Sequence, residues 1–237
     1  MSPIEPSGPF GGNSERGVWP VAGRAIPRRL LVATRSAGKL RELMPMCAAR
    51  GIDALDLAAA GIEESPAEDA LEIHTTFEEN AVAKARYFYG RSGLPTLADD
   101  SGLVVAALGG RPGVLSKRWS GRTDLKGQAL DDENNRLLVQ LMRGSADRRA
   151  AYVCAAAIVA GDGPRAGERD DPLVRRGEVR GRITEVPRGT GGFGYDPYFL
   201  SDELGCTFGE ASPQEKARVS HRARAVAALL DALSASS

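Results

Sequence analysis

The chain has 237 residues, 42% of them hydrophobic and 26% charged, and its 31 Lys plus Arg are balanced by 31 Asp plus Glu. That length suits one large domain or two small lobes with an ample core, and zero net charge argues against a duplex nucleic-acid binder, which needs a basic excess to neutralise phosphates. Three separated cysteines (Cys47, Cys154, Cys206) and only two histidines (His74, His221) argue against a zinc site and make a reduced, cytoplasmic compartment the default.

Residues 1–27 are rich in Pro, Gly and Ser. They lack the basic start and apolar stretch of a signal peptide and contain no transmembrane segment, so either a disordered extension or an over-called start codon is expected before a domain over 28–235. "LLVAT" (30–34) is a buried-strand pattern. "SAGKLRELMPMCAARG" follows as a helix ending at Gly51, with Pro45 a kink. "DALDL" reads as a second strand, and residues 58–74 as a long loop. "TFEENAVAKARYFYG" is the clearest helix: Thr76 and Glu79 form a capping box, and Phe77, Ala81, Ala85 and Phe88 make an apolar stripe bordered by Asn80 and Lys84.

"LADDSGLVVAALGGRPGV" (97–114) reads as two buried strands meeting at a carboxylate pair. A glycine-rich loop (109–122) and a helix (124–142) come next, followed by a long apolar strand (149–160), an irregular charged loop (161–176) and a strand (177–187). "RGTGGFGYDPYFL" is a glycine loop running into a short strand. Residues 212–233 read as one helix with Ser212 as N-cap, Pro213 at N1 and Glu215 at N3. Alternating strands and helices with hairpin-like stretches predict a mixed α/β sheet.

Several stretches suggest chemistry. "ATRSAGKL" imitates a phosphate loop, but Ala33 and Leu40 stand where a P-loop needs Gly and Ser or Thr. What survives is a strand, a polar turn and a helix start that aim Lys39 and backbone N–H groups at an anion, alongside the simpler reading of a capped turn with a surface lysine. Adjacent carboxylates on a strand point opposite ways, so one of Asp99 and Asp100 can enter a cleft and hold Mg²⁺ while the other braces the backbone. An Asx-type turn would explain one aspartate, not two. In "GTGGFGYDP", Phe193 and Tyr195 suit stacking on a flat ligand. Lys216, His221, Arg222 and Arg224 form a helical charge cluster, which in isolation is most simply a solvated face.

Taken together and in order, "VATRSAGK", "TFEENAVAKAR", "LADDSGLVVAALGGRPGV", "GTGGFGYDPYF" and "EKARVSHRARA" resemble the successive signatures of the RdgB/inosine triphosphate pyrophosphatase family, from about Leu30 to Leu233. The resemblance implies a mixed central sheet in two lobes with helices on both sides and an active-site cleft between the lobes, and a homodimer. The implied reaction is Mg²⁺-dependent hydrolysis of ITP, dITP and XTP to the monophosphate and pyrophosphate, with one or more ions per site and neither a nucleic-acid nor a membrane partner.

Residue by residue, it makes Thr34, Arg35, Ser36, Ala37, Gly38 and Lys39 a triphosphate-binding turn. Asp100 becomes the proton acceptor and metal-associated residue, Glu72 a second metal carboxylate, and Ser101 a substrate contact. Asn80 and Lys84 face the phosphates, with Lys84 catalytic. Phe193, Gly194, Tyr195 and Asp196 contact the base, and Lys216, His221 and Arg222 close over the nucleotide. Arg222 or a backbone N–H of the 193–196 loop is the expected donor to the C6 oxygen of deaminated purines, and Asp99 mainly braces its turn. Ser36, His74, Leu115 and Lys117 depart from the family's usual Asn, Gly, Tyr and Ala. The competing readings are a Maf-type pyrophosphatase for modified pyrimidines and a non-enzymatic nucleotide-binding protein. The first would not bring "GFGYDP" and "SHR" together, and the second would not retain Glu72, Asp100 and Lys84.

Overall fold

A computed structural model of the chain describes residues 27–160 and 172–234. The extension expected over 1–27 lies outside these residues except for its last position, as does the 161–171 part of the charged loop. The elements are β1 (Arg29–Val32), α1 (Ala37–Ala48), β2 (Asp53–Asp56), α2 (Phe77–Ser92), β3 (Thr96–Val105), α3 (Gly127–Leu141), β4 (Arg149–Val159), β5 (Leu173–Ile183), β6 (Phe199–Ser201), α4 (Pro213–Val219) and α5 (His221–Ser234). The six strands form a mixed sheet in the order β2-β1-β3-β4-β5-β6. β1 runs parallel to β2 and β3, whereas β5 and β6 are antiparallel, with Gly181 opposite Ser201. No helix among the described residues is long and apolar enough to cross a membrane.

Two compact units divide the described chain. The larger contains 27–101, 152–160, 172–179 and 212–234; the smaller contains 102–151 and 180–211. The larger unit's core takes Leu30 and Val32 from β1, Leu97 from β3 and Cys154, Ala156 and Ile158 from β4, all fully buried. Against them lie Leu43 and Cys47 of α1 and Ala225, Val226, Leu229, Leu230 and Leu233 of α5. Each such leucine or valine contributes about 1.5–3 kcal/mol by leaving water. In the smaller unit a groove of about 890 Å³ runs beside α3 and the 187–198 loop.

Four elements differ from the sequence-based expectation. The two strands expected at "ADDSG" are a single ten-residue strand, β3, buried at every position but Ser101. The carboxylates and Gly102 resemble turn signals, but charged partners let them lie inside a strand. The expected long loop contains a 3₁₀ turn, Pro66–Glu72, started by a reciprocal Ser65/Glu68 capping box. The strand expected from Gly177 begins earlier, at Leu173. The expected terminal helix breaks at Ser220, which is extended (φ −63°, ψ 148°). Its hydroxyl oxygen accepts from the Ala223 N–H at 3.1 Å and so starts α5 afresh.

The capping residues mostly behave as their spacing predicts. Ser212 and Glu215 form the full box at α4. At α2, Thr76 caps the Glu79 N–H, but Glu79 accepts from the Thr76 hydroxyl (2.9 Å) instead of completing a box.

One glycine fixes the approach of α5 to the sheet. A Cβ at Gly177 would lie 2.1 Å from the His221 carbonyl oxygen and 2.5 Å from the Ala225 nitrogen. Because these are backbone atoms, no rotamer change relieves them. Gly177→Ala is expected to destabilise the chain by about 1–3 kcal/mol, readable as a lowered urea midpoint. An unchanged midpoint would show that α5 is free to shift.

Candidate active site

Strand alternation sends Asp99 and Asp100 to opposite faces of β3, and their partners differ accordingly. Asp99, 1% exposed, faces α1 and α5. Its Oδ2 meets Lys39 Nζ and Arg222 Nε, each at 3.0 Å, and the Cys154 thiol at 3.7 Å. Burial pushes its carboxyl up, but Lys39 and Arg222, then Lys84, outweigh burial and hold it well below the usual carboxylate range. Arg222 is 1% exposed, and its remaining nitrogens meet Glu42 and the Ser101 hydroxyl oxygen (2.8 Å). Glu42 also pairs with Lys216 at 2.9 Å. Desolvation raises the Glu42 carboxyl, yet Arg222 and Lys216 lower it overall. A line of alternating charges thus runs from Lys216 through Glu42, Arg222 and Asp99 to Lys39. Asp99 was expected to brace a turn; it lies inside β3 instead and ties the strand to α1 and α5 through Lys39 and Arg222.

The opposite face holds the reactive candidates. Asp100, 5% exposed, accepts from Asn80 Nδ2 at 2.9 Å, and its other oxygen lies 3.6 Å from Lys84 Nζ. Asn80 is oriented in turn, since its Oδ1 accepts from the His74 N–H at 3.0 Å. Lys84 also meets Glu72 at 2.8 Å and donates to the Asp99 carbonyl. Burial raises the Asp100 carboxyl above its ordinary range; Lys84 and Lys39 oppose this, and Glu72 adds to it. Lys84 is disfavoured as a cation by burial, but Glu72, Asp100 and Asp99 more than compensate and keep it protonated. Asn80 and Lys84, expected at the border of the apolar stripe, are buried themselves.

The 34–39 turn is built as its spacing predicts. Ser36 is the N-cap of α1, accepting from the Lys39 N–H at 3.3 Å, while Thr34 Oγ1 accepts from the Ser36 N–H at 3.2 Å. Ala37 and Gly38 open the helix. Arg35 points elsewhere: its guanidinium grips both Glu68 oxygens (2.8 and 3.0 Å) and the Ile62 carbonyl. It thereby ties the turn to the segment that carries Glu72.

Three expectations need correction. Arg222, one of the two donors expected for the base, is buried and gripped by Asp99, Glu42 and Ser101, so it braces the strand and leaves the loop N–H as the other expected donor. Tyr195 was expected to stack on a ligand, but it is 3% exposed and its hydroxyl donates to the Ser116 carbonyl at 2.8 Å. Asp196, 2% exposed, closes a local turn by accepting from the Phe193 N–H at 2.8 Å. Phe193 and Gly194 are the half-exposed members of that loop.

His221 is 4% exposed and stacks on Tyr152 with centroids 4.7 Å apart. Burial, with Arg222 and Lys216 nearby, holds it well below its usual pKa, so the ring is neutral. Leu115 and Lys117 are exposed on a 3₁₀ turn, Gly113–Arg118. Sequence reasoning missed Glu42, Glu68, Asp131 and Asn135. Glu42 is three residues after Lys39 on one helix, a spacing that places the two side by side.

The sequence pattern of the Ham1 family matches residues 30–232. The chain belongs to the Ham1 family. The dITP/XTP pyrophosphatase of Bordetella parapertussis is 45% identical over 208 residues, covering 88% of this chain and 92% of that protein. The dITP/XTP pyrophosphatase of Mycobacterium tuberculosis H37Rv is 47% identical over 212 residues, covering 88% and 97%. Among solved structures, a HAM1 protein from Coxiella burnetii superposes with a TM-score of 0.73 at 32% identity, covering 87% and 98%. The Ham1 match begins at Leu30 and ends at Ala232, so it spans both carboxylate faces of β3, the 193–196 loop and the broken terminal helix.

Proposed function

We infer that this chain is a nucleoside-triphosphate pyrophosphatase that hydrolyses dITP, XTP and ITP to the monophosphate and pyrophosphate, keeping deaminated purines out of DNA and RNA. The observation that carries the reading is the convergence of two carboxylates, Glu72 and Asp100, on the buried ammonium of Lys84, within a chain of the Ham1 family.

The donor set suits Mg²⁺, which takes hard oxygen ligands and is bound by one or two carboxylates together with substrate phosphates. Glu72 and Asp100 would hold it, and when bound it would supply charge neutralisation on the phosphate oxygens. No group of three or more His, Cys, Asp or Glu side chains with metal-binding geometry occurs among the described residues.

The chain's own residues divide the remaining work. Asp100, kept basic by burial, accepts the proton of the attacking water at a carboxylate oxygen, and Asn80 orients that carboxylate. Water oxygen bonds to the α-phosphorus as the bridging α–β bond breaks, and pyrophosphate leaves with the bridging oxygen. Lys39 and Lys84 would offset its growing charge. Phe193 offers a ring for the base. Selection at C6 falls to a backbone N–H of its loop, where adenine's amine would oppose a donor; such a buried mismatch costs on the order of 1–3 kcal/mol. Function as a homodimer in the cytoplasm completes the proposal.

Product analysis from XTP, dITP, ITP, ATP and GTP with Mg²⁺ tests it. Monophosphate plus pyrophosphate is expected, with deaminated purines preferred. Orthophosphate as the product, or equal rates on ATP and GTP, would sink the reading.

A further inference from the structure

We propose that Asp131 and Asn135 are positioning residues that hold the Phe193 ring as a purine-stacking platform through a two-sided grip on Gly194. The inference rests on the pyrophosphatase reading above and concerns the smaller unit alone.

Asp131 and Asn135 lie four residues apart on α3, and so share one face. Asp131 Oδ2 accepts from the Gly194 N–H at 2.8 Å, and Asn135 Nδ2 donates to the Gly194 carbonyl at 2.9 Å. The helix therefore holds both polar groups of one residue. Gly194 has φ +64°, and a Cβ there would meet nothing within 4 Å, so this glycine supplies a backbone conformation rather than space. On the other side of Phe193, its own N–H is held by Asp196 at 2.8 Å. Tyr195, which follows Gly194, is anchored by its hydroxyl donating to the Ser116 carbonyl at 2.8 Å. The backbone is thus fixed on both sides of Phe193. Phe193, Gly192, Gly194 and Asn135 line the 890 Å³ groove.

The Asp131 carboxylate is poorly explained by solubility or ion pairing. Burial pushes it above the ordinary range, the Gly194 N–H opposes this, and Asp196 and Asp132 reinforce it. An ionised acceptor makes a stronger bond to an N–H than a neutral one does, which suits a residue kept to orient a loop. A platform held in advance loses less freedom when a base stacks on it.

Calorimetric titration of the full chain with inosine monophosphate and, separately, pyrophosphate distinguishes orientation from general damage. Asp131→Ala and Asn135→Ala are expected to weaken inosine monophosphate binding by about tenfold, the effect of a lost positioning bond. Phe193→Ala should shift it the same way, and none of the three should move pyrophosphate affinity. Asp131→Asn, whose amide oxygen can still accept from Gly194, should recover most of the loss. Unchanged monophosphate affinity in Asp131→Ala or Asn135→Ala would overturn the proposal. So would equal weakening of both ligands, or an Asn variant no better than the Ala one. If Asp131→Ala does not fold, Asn135→Ala and Asp131→Asn decide the matter by the same criteria. A wild-type chain that binds pyrophosphate but not inosine monophosphate would instead overturn the purine reading, and the purpose of the grip with it.

Discussion

Asp100→Asn is expected to lower turnover on XTP by about a thousandfold, the scale of a lost catalytic base and its electrostatic companion, without lowering the melting temperature. The two halves of that expectation have different causes. The amide keeps an oxygen for the Asn80 bond at 2.9 Å, so local geometry survives. What disappears is the charge that attracts Lys84 and the oxygen that takes the proton. Stability moves the other way because burial, the largest influence on Asp100, disfavours its ionised form. A carboxyl whose folded pKa is raised contributes no stability below its unfolded pKa and detracts from it above, so the neutral amide removes a liability at pH 7. Parallel turnover and melting measurements check both halves. Activity within tenfold of wild type would exclude Asp100 as the base, and a large fall in melting temperature would mean that its charge supports the fold.

Arg222→Met should show the converse pattern, a loss of about 3–5 kcal/mol, the scale for removing one partner of a buried ion pair. Asp99 would keep Lys39 but lose its second cation, and Glu42 would keep only Lys216. The sign of the pH dependence follows from the lowered Asp99 carboxyl. A depressed carboxyl adds stability that is fully present above its unfolded pKa of about 3.9 and is lost as pH falls towards the folded value. The gap between wild type and variant should therefore be full at pH 7 and shrink below about pH 4. Urea titrations across that range would reveal a pH-independent gap if Arg222 acts only through packing. Activity under folded conditions should fall alike for XTP and ATP. A selective change in their ratio would restore Arg222 to base recognition.

Much of the site was legible because its signals are local. Lys84 bordering an apolar stripe stood out as an unusual place for a cation, and strand alternation separated Asp99 from Asp100 before any contact was known. Other parts were illegible for equally physical reasons. Glu42 meets Arg222 across 180 positions of sequence, and Asp131 meets Gly194 across 63, so each looked like an ordinary polar residue on a helix. The break at Ser220 was hidden because serine is unremarkable within a helix until its hydroxyl is seen capping a new one. The 3₁₀ turn before Glu72, by contrast, was readable. Ser65-Pro66-Ala67-Glu68 repeats the cap, Pro and acid spacing of Ser212-Pro213-Gln214-Glu215, and only the second was recognised.

β3 places the ion network that secures the strand and the carboxylate proposed as the base on neighbouring residues facing opposite ways. Genetic lesions on its two sides would therefore leave different phenotypes. Changes at Glu42, Cys154 or Arg222 act by shifting the folding equilibrium, whose margin is only about 5–15 kcal/mol in natural domains, and so produce heat-sensitive alleles rescued by cool growth. A shape-preserving change at Asp100 would instead leave a folded but inert chain, null at every temperature.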